Sequence, residues 1–416
     1  MNAGKELWLF TVSYPYGTNE AFLANELPVL AKRFSKVVLF PLLGKGVANP
    51  LPPGVEVRHV IAEPYRAAGM GQLLSELPAV FALLKHTIAS APSFAALRRR
   101  WPDLLSRLRQ ALHRALGLKR ALGKEYDPDH VVLYSFWTAD WATAIGLWKS
   151  MDPRVNFRSR MMGFDMYAHR AREGWQMFQR FHVQQAMGLH PISQDGLEHM
   201  RKAYPAHTEK FRLSYLATVD HGAGPWVPAE VLRIVSCSNL VGLKRVHRIA
   251  EALCKCKVPV QWTHFGDGTE RVNVEAVLRD APAHVSVTLM GSRPNAEVIA
   301  WYEANPVDLF IHLSRTEGGA PVALQEAASF GIPLLAADAG GVKEVVTERT
   351  GMLLPNAVDV AHVAAIIDGW KENERYSEAG RAQVRAAWRE RFDAEVVYNA
   401  FADMLLDHGA SLRATA

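Results

Sequence analysis

Short apolar runs alternate with longer amphipathic stretches along this chain. In the first half, the runs of strand length are LWLFTV, KVVLFPL, VEVRHV and HVVLYSF, and in the second half they are LRIVSCS, VQWTHFG, VSVTLMG, VDLFIHLS and IPLLAAD. Stretches with helical periodicity lie between them, such as EAFLANELPVLAKRF and PVALQEAASFG. Strictly alternating strands and helices are typical of a parallel sheet with helices on both faces. Because the series occurs twice, the pattern predicts an α/β protein of two doubly wound, Rossmann-like domains that face each other across a cleft.

The segment 214–230, SYLATVDHGAGPWVPAE, is rich in glycine and proline and separates the two series. A length of 416 residues also fits two domains better than one. We therefore predict an N-terminal domain over residues 1–220 and a C-terminal domain over residues 221–395. The last helical stretch, residues 396–416, either caps the second domain or returns to the first. Ligands of such open sheets bind beyond the carboxyl ends of the strands.

Composition excludes several classes of protein. Hydrophobic residues make up 49% and charged residues 21%, which is ordinary for a globular protein. The chain has no apolar run of about twenty residues, which a membrane-spanning helix would need. The first apolar run, residues 7–12, lacks the plan of a signal peptide, so a cytoplasmic location is expected. The three cysteines, Cys237, Cys254 and Cys256, have neither the number nor the spacing of a disulfide framework or a zinc site.

Residues 92–124 form a basic amphipathic segment. A single acid, Asp103, stands against nine basic residues, which are Arg98, Arg99, Arg100, Arg107, Arg109, Arg114, Lys119, Arg120 and Lys124. Apolar residues recur at helical spacing, and Pro102 is expected to divide the segment into two helices. Two interpretations remain open: the apolar stripe packs on the domain core with the arginines in water, or the segment lies on the anionic inner face of the cytoplasmic membrane. Nucleic acid is disfavoured, because the aromatic residues are not interleaved as stacking platforms.

The stretch SRTEGGAPVALQEAASFGIPLLAADAGG, residues 314–341, carries the clearest chemical signal. A predicted strand runs into a glycine-rich turn and then a helix, which lets backbone N–H groups approach an anion such as a phosphate. Pro321 suits the first helical position. Glu326, over a turn inside the helix, can accept two hydrogen bonds from a ribose diol, and Glu317 can reach a polar group next to the phosphates. A second strand and a second glycine pair follow directly.

This stretch resembles the donor-site signature of the GT-B glycosyltransferases, in particular glycosyltransferase family 4. The residues that carry the resemblance are Ser314, Glu317, Gly318, Pro321, Val322, Glu326, Ala327, Gly331, Ile332, Pro333, Gly340, Gly341 and Glu344. In that family the two glutamates are normally one position closer than here, because GGAP carries one residue more than the usual form.

The stretch IVSCSNLVGLKRVHRIAEAL resembles the first strand and loop of the same family's C-terminal domain. There an arginine and a lysine face the donor diphosphate, and such cations neutralise charge that builds on the leaving group. Lys244 stands at the lysine position and Asn239 at the arginine position, which leaves Arg245 as the candidate to compensate. The resemblance implies a donor-binding set made of Gly17, Asn239, Lys244, Arg245, Gly266, Arg293, Glu317, Gly318, Gly319, Ala320, Pro321, Val322 and Glu326.

The N-terminal half resembles the family in two stretches. SYPYGTNEAFLANELPVL matches the opening glycine loop, with Gly17 near the diphosphate. Glu20 and Glu26, which follow it, either face an acceptor or are exposed helix charges. SRMMGFDMYAHR matches a segment in which a histidine normally precedes the glycine, and Met162 stands at that position; Asp165 and His169 are candidates to serve in its place. The resulting acceptor-side candidates are Tyr16, Glu20 and Tyr167.

The resemblance implies a retaining transfer of a hexose-type sugar from a nucleotide diphosphate sugar to a saccharide or a lipid-linked saccharide. The process would be cell-surface polysaccharide biosynthesis, with no metal or other cofactor. The implied catalytic residues are Glu317, Asp165 and Lys244. Two rivals stay open: a non-catalytic nucleotide-sugar-binding protein, suggested by Met162, and a GT-B epimerase or hydrolase. A dehydrogenase is disfavoured, because no GxGxxG follows the first strand.

Overall fold

The computed structural model describes residues 4–17, 20–44, 46–61 and 66–407. The chain divides into two compact units. The first contains the described residues up to Tyr215 together with those from Tyr398 onward, and the second is Leu216–Val397. None of the helices in the described ranges has the length and apolar character that crossing a bilayer requires.

The first unit is built on a parallel sheet of six strands. The strands are β1 (Glu6–Thr11), β2 (Lys36–Pro41), β3 (Val55–Val57), β4 (Val131–Ser135), β5 (Phe157–Met161) and β6 (Gly188–Pro191), in the order β3-β2-β1-β4-β5-β6. The helices are α1 (Leu23–Arg33), α2 (Met70–Ser75), α3 (Leu77–Ala89), α4 (Phe94–Leu122), α5 (Asp140–Met151), α6 (Gly163–Met166), α7 (Gln179–Gln185) and α8 (Gln194–Ala203). Every residue of β4 and β5 is buried. Strand β4 therefore reads as an apolar run, whereas β5, FRSRM, contains two buried arginines and was not predicted from an apolar run.

Helix α4 is continuous over 29 residues with Pro102 inside it, so the predicted division into two helices is wrong. Proline removes one helical hydrogen bond and crowds the preceding turn. Packing offsets this cost, because the apolar face continues past the proline through Leu104, Leu108 and Leu112, all buried. The hydroxyl of Ser93 also caps the start of the helix by accepting from the N–H of Ala96 at 3.1 Å.

A buried ion pair lies in the core of the first unit. The guanidinium of Arg160 and the carboxylate of Glu26 are both fully buried and lie 3.1 Å apart. Arg160 also donates to the hydroxyl of Tyr134 at 2.9 Å and to the carbonyl of Ser214 at 2.9 Å. Both sequence interpretations of Glu26, an acceptor ligand or an exposed helix charge, are therefore wrong. The carboxylate is a core group that satisfies a buried cation.

The second unit repeats the plan with another six-stranded parallel sheet. The strands are β7 (Leu232–Cys237), β8 (Val260–Phe265), β9 (Val285–Leu289), β10 (Leu309–His312), β11 (Leu334–Ala337) and β12 (Gly351–Leu354), in the order β12-β11-β10-β7-β8-β9. The helices are α9 (Val246–Leu253), α10 (Arg271–Leu278), α11 (Asn295–Ala304), α12 (Val322–Ser329), α13 (Val342–Val345), α14 (Val360–Asp368) and α15 (Glu378–Phe392), and a further helix, α16 (Ala394–Leu406), starts in this unit and continues into the first. The prediction of two parallel, doubly wound α/β sheets is confirmed.

The segment 214–230 contains neither helix nor strand, and the division between the units falls near its start, at Leu216. Helix α16 joins the first unit from Tyr398 onward. There the ring of Phe401 packs edge-on against Tyr134 with centroids 5.1 Å apart, and it lies under the guanidinium of Arg160 at 4.4 Å. The final helix is thus part of the first unit's core.

Candidate functional site

The second unit has its topological switch point between β7 and β10, where the chain leaves neighbouring strands in opposite directions. The loops that follow these two strands therefore lie side by side at the carboxyl edge of the sheet, where open α/β sheets bind ligands. The N–H of Arg315 donates to the carbonyl of Leu243 at 2.8 Å and joins the two loops directly. The predicted donor residues 239–245 and 317–322 are in these loops, so the fold brings them together.

Glu317 is the centre of a charged cluster at this edge. Its Oε1 accepts from the Nζ of Lys244 at 2.5 Å and lies 2.9 Å from the Nε2 of His312. Burial by itself would raise the pKa of Glu317, but the His312 hydrogen bond and the Lys244 charge outweigh it and lower the pKa to about 2. The carboxylate is therefore ionised, so the His312 Nε2 must donate. Among the described residues, no protein partner is found for Oε2.

His312 is a site residue that the sequence analysis missed. It occupies the last position of β10, and its side chain is almost completely buried. The signal available in the sequence was a polar residue at the end of an otherwise apolar strand, where the carboxyl edge of the sheet is expected. The histidine fixes the carboxylate that in turn fixes Lys244.

Glu326 lies on helix α12 in a different environment. Its Oε1 accepts from the Nδ2 of Asn295 at 2.8 Å, and the side chain is buried. Burial raises the pKa of Glu326 to about 7, with only a partial counter-effect from Asn295. Asn295 thus orients the carboxyl group. A hydrogen bond from a neutral amide leaves the carboxylate with acceptor capacity for the hydroxyls of a ligand.

The turn between β10 and α12 presents backbone donors. No hydrogen-bond partner is found in the described part of the chain for the N–H groups of Gly318, Gly319 and Ala320. The sequence analysis placed Pro321 at the first helical position, but in the structure Pro321 is the N-cap residue of α12 and Val322 is the first helical residue. Unpaired N–H groups at the start of a helix favour an anion.

The second glycine pair has a packing role. A Cβ on Gly340, whose φ is +56°, would lie 2.3 Å from the carbonyl oxygen of Glu317. A Cβ on Gly341 would lie 2.4 Å from the carbonyl carbon of Gly319. The loop after β11 therefore packs backbone-to-backbone against the GGAP turn, and only glycine leaves the necessary space.

Arg245 does not serve as the compensating cation. Its guanidinium donates to the carbonyls of Leu313 at 2.6 Å, Ser314 at 2.9 Å and Asn356 at 2.8 Å. The prediction of Arg245 as a diphosphate ligand is corrected, because its donors tie the loop after β10 to the loop after β12. Asn239, at the family's arginine position, is exposed. Lys244 thus supplies the cation of the cluster.

Two further donor candidates lie outside this cluster. Gly266 has a φ of +133°, and a Cβ there would lie 1.9 Å from the carbonyl oxygen of Ser238, so close packing explains the glycine. Arg293 is exposed, donates to the carbonyl of Met290 at 3.0 Å and lies 3.6 Å from the carboxylate of Glu297. A donor contact by Arg293 stays a prediction.

In the first unit, Glu20 is buried and anchors the loop after β1. Its carboxylate accepts from the N–H groups of Val12 at 2.8 Å, Ser13 at 2.6 Å and Tyr14 at 2.7 Å, and from the indole of Trp137 at 2.5 Å. The expectation that Glu20 contacts an acceptor or projects from a helix is corrected: its oxygens position the backbone. Gly17, in the same loop, is exposed with a φ of +74° that favours glycine.

The other candidate residues of the first unit, Tyr16, Tyr167 and Asp165, each contact a different group. The hydroxyl of Tyr16 lies 3.2 Å from the Nε2 of His59. The hydroxyl of Tyr167 donates to Asp195 at 2.5 Å, and an acceptor-side role for Tyr167 stays a prediction. The Oδ2 of Asp165 accepts from the N–H of Thr138 at 3.3 Å, and burial raises the pKa of Asp165 well above its usual value. A catalytic role for Asp165 stays a prediction.

No set of three or more His, Cys, Asp or Glu side chains suited to hold a metal ion is found among the described residues. The groups collected at the switch point are instead one lysine, one ionised carboxylate, one buried carboxyl and open backbone N–H groups. This donor set fits an anionic ligand that also carries hydroxyls.

Sequence comparison places residues 228–389 in the family described as glycosyl transferases group 1. A GDP-mannose-dependent alpha-mannosyltransferase of Mycolicibacterium smegmatis is 30% identical over 169 residues, which is 40% of this chain and 42% of that protein. The amylovoran biosynthesis glycosyltransferase AmsK of Erwinia amylovora is 26% identical over 186 residues, which is 42% of this chain and 45% of that protein. The matched region thus spans less than half the length of these relatives.

Solved structures share the fold over nearly the whole chain. The apo form of the lipopolysaccharide outer core galactosyltransferase WaaB has a TM-score of 0.67 at 12% identity and covers 96% of this chain and 99% of that protein. Anabaena Alr3699/HepE in complex with UDP has a TM-score of 0.64 at 15% identity, with 97% and 99% covered. The chain therefore has the GT-B fold, and its residues 228–389 form a domain of the glycosyl transferases group 1 family.

Proposed function

We propose that this protein is a retaining glycosyltransferase. It would move a hexose-type sugar from a nucleotide diphosphate sugar to a saccharide or lipid-linked saccharide in cell-surface polysaccharide biosynthesis. The observation that carries the proposal is the Lys244–Glu317 pair beside the open N–H groups of residues 318–320. Relatives named for GDP-mannose and for amylovoran, and a solved structure that contains UDP, support the same class.

Lys244 and the N–H groups of the GGAP turn would stabilise the leaving group. Negative charge builds on the departing diphosphate as the sugar becomes oxocarbenium-like, and preorganised cations and N–H groups stabilise it. Glu317 holds the Lys244 ammonium in place before any ligand arrives, and His312 holds Glu317. The second oxygen of Glu317 would accept from the ligand. Glu326, oriented by Asn295, would bind the ribose diol.

A thermal-shift screen with UDP-, GDP- and ADP-sugars tests the donor site. A ligand that binds only the folded state, present at about a hundred times its Kd, stabilises the protein by about 2.7 kcal/mol. Lys244→Gln should strongly reduce the shift, whereas Lys255→Gln, a matched loss of an exposed lysine in the same unit, should not. Absence of a shift with every nucleotide sugar, or equal shifts in both variants, would contradict the donor site.

Release of nucleoside diphosphate distinguishes a glycosyltransferase from a non-catalytic binder and from a hydrolase. Met162 stands where the family resemblance has a histidine, and it is buried at the N-cap of α6. A non-catalytic binder would give a thermal shift but would not release nucleoside diphosphate with any acceptor, and a hydrolase would release it without one. For a transferase, the anomeric configuration of the product, read by NMR, decides retention against inversion.

The membrane surface is a second part of the proposal. Helices α2, α3 and α4 expose a set of large apolar side chains, which are Met70, Leu74, Leu77, Phe81, Ile88, Phe94, Trp101 and Leu105. Leu84 of α3 and Leu97 of α4 pack on the same small apolar cluster, so these helices lie side by side. Exposed Lys85, Arg98 and Arg99 flank the set. An apolar face bordered by basic residues is complementary to an anionic bilayer surface.

Liposome binding tests this part. The variant Arg98→Glu/Arg99→Glu should lose affinity for anionic vesicles, because each basic residue near such a surface contributes about 1 kcal/mol. Arg100 is left unchanged, since it is buried and paired with Asp103. The matched control, Lys119→Glu/Arg120→Glu at the far end of α4, changes the charge equally and should retain affinity. Equal binding by both variants would contradict the assignment.

A further inference from the structure

The first unit contains a cavity of about 470 Å³ that the donor site does not use. It lies between α4, α5 and residues 164–182, and we call it the α4 cavity. Its volume falls within the range of about 300–1,000 Å³ that is typical of small-molecule sites. Every residue that lines it belongs to the first unit, so an inference about it is independent of the nucleotide-sugar site.

The α4 cavity has a surplus of positive charge. Five arginines and three aspartates line it, and these are Arg100, Arg107, Arg114, Arg170, Arg172, Asp103, Asp140 and Asp165. Asp103 accepts from two arginines, each at 2.7 Å, and Asp140 accepts from a third at 2.6 Å. Burial also raises the pKa of Asp165, and it lowers the pKa of the lining His182 to about 3, which keeps that imidazole neutral. The arginines thus exceed the ionised carboxylates.

Two buried polar atoms of lining residues lack partners. The Nε of Arg100 and the Oδ1 of Asp165 have no hydrogen-bond partner within the described residues, and each residue is only 6% exposed. A buried polar group without a partner is unfavourable, so each of these atoms calls for a partner such as a water, an ion or a ligand. One atom is a cationic donor, and the other is a carboxyl oxygen. The guanidinium of Arg172 is exposed and also has no partner in the described chain.

Aromatic rings complete the lining. Phe164 is 48% exposed and packs against Trp137 with ring centroids 5.1 Å apart. Trp175 is fixed by its indole N–H, which donates to the hydroxyl of Ser90 at 3.2 Å, and the guanidinium of Arg100 lies 5.7 Å from its ring centre. Rigid aromatic rings beside a few placed polar groups suit a ligand with both apolar faces and hydrogen-bonding edges. A pyranose ring has such faces and edges.

We propose that the α4 cavity binds a sugar unit that carries an anionic group, either a carboxylate or a phosphate. Arg100 and Arg172 would donate to the anion, because a guanidinium forms charge-assisted hydrogen bonds to the oxygens of a carboxylate or of a phosphate. Because burial raises the pKa of Asp165, its protonated form is favoured beside an anion and would donate to a ligand oxygen. Phe164 and Trp175 would contact the apolar face of the ring.

Calorimetric titration of the full chain tests the ligand class. The probes are methyl hexuronides, hexose phosphates, the matching neutral methyl hexosides and inorganic phosphate. An anionic sugar should bind at least about tenfold more tightly than its neutral counterpart, because a hydrogen bond to a charged group contributes about 1.5–3 kcal/mol. The comparison of uronides with phosphates identifies the anion. Equal affinity for neutral and anionic sugars, equal affinity for phosphate alone, or no binding of any anionic sugar overturns the proposal.

Variants locate the binding within the cavity. Arg172→Gln and Phe164→Ala alter exposed side chains and should each weaken binding of the anionic sugar by about tenfold or more. Arg120→Gln, an exposed arginine on α4 that does not line the cavity, should leave it unchanged. All three should keep the wild-type thermal shift with a nucleotide sugar, which separates failure of this inference from failure of the donor site. Equal losses in Arg172→Gln and Arg120→Gln would overturn the assignment.

Discussion

Substitution of the two glutamates of the donor site by glutamine should change the stability of the ligand-free protein in opposite directions. Glu317 has a pKa of about 2, against an ordinary value of 4.5. At about 1.36 kcal/mol per pKa unit, the ionised form contributes about 3 kcal/mol to the free energy of unfolding. Because this pKa is lowered in the folded state, the contribution is present above pH 4.5 and is lost as the pH falls through about 2. Glu317→Gln should therefore cost up to about 3 kcal/mol at neutral pH.

The ionised side chain of Glu326 contributes to the free energy of unfolding with the opposite sign. Its pKa is raised from 4.5 to about 7 by burial, so the folded state keeps a proton that the unfolded state has lost. Stability therefore decreases as the pH rises from 4.5 to about 7, and above that the ionised carboxyl costs about 3 kcal/mol. Glu326→Gln should stabilise the empty protein by up to that amount in mildly alkaline buffer and have little effect below pH 4.5. The same variant should lose most of the stabilisation by a nucleotide sugar.

Urea unfolding, followed by tryptophan fluorescence in mildly alkaline and mildly acidic buffer, measures both effects. Buried Trp262, Trp370 and Trp388 report on the second unit. Glu297→Gln, which removes an exposed carboxylate, is the matched control and should shift the midpoint little, since exposed ion pairs contribute about 0–1 kcal/mol. Effects of the same sign in Glu317→Gln and Glu326→Gln, or a pH-independent effect in the latter, would refute the electrostatic argument.

Three further substitutions test how the loops are held. Gly340→Ala should lower stability by about 1–2 kcal/mol from its left-handed backbone alone, and more from the clash with the carbonyl of Glu317, with a weaker nucleotide-sugar thermal shift. Arg245→Gln should cost at least about 3 kcal/mol in urea unfolding, because three carbonyls lose a charged donor. Glu20→Gln should destabilise the loop after β1, visible as faster amide hydrogen exchange at residues 12–14, since an amide oxygen replaces a carboxylate that accepts from all three N–H groups.

Matched controls accompany these variants. Gly369→Ala adds a Cβ at an ordinary contact distance of 3.6 Å, so it should be near neutral if the Gly340 effect comes from crowding. Arg248→Gln removes a partly buried arginine that donates to one carbonyl, that of Val358, and should cost less than Arg245→Gln. Unchanged exchange at residues 12–14 in Glu20→Gln would argue against an anchoring role for that carboxylate.

Much of the donor site follows from local sequence. The positions of Glu326 inside a helix, of Lys244 after a strand and of the GGAP turn between strand and helix agree with the structure, because each depends on residues within a few positions. The packing role of Gly340 could not be predicted from local sequence. Its neighbours in sequence do not reveal that it packs on the backbone of Glu317, a contact across two elements.

The sequence by itself determined the plan of two parallel sheets, nine of the twelve strands found in the described residues, and the loops that form the candidate site. Those strands appear as short apolar runs, and the helices between them appear with their own period, so local pattern suffices. Strand β5 escaped this pattern because it carries Arg158 and Arg160, which are buried by tertiary contacts. Only the tertiary structure decided which charged side chains contact each other. Lys244 and Glu317 are 73 positions apart in the chain, Arg245 turns to distant carbonyls, and Glu20 is buried under Trp137. Pro102 stays inside a helix for the same reason, because packing between distant residues outweighs the tendency of proline to end a helix. The periodicity of the sequence does not show such contacts.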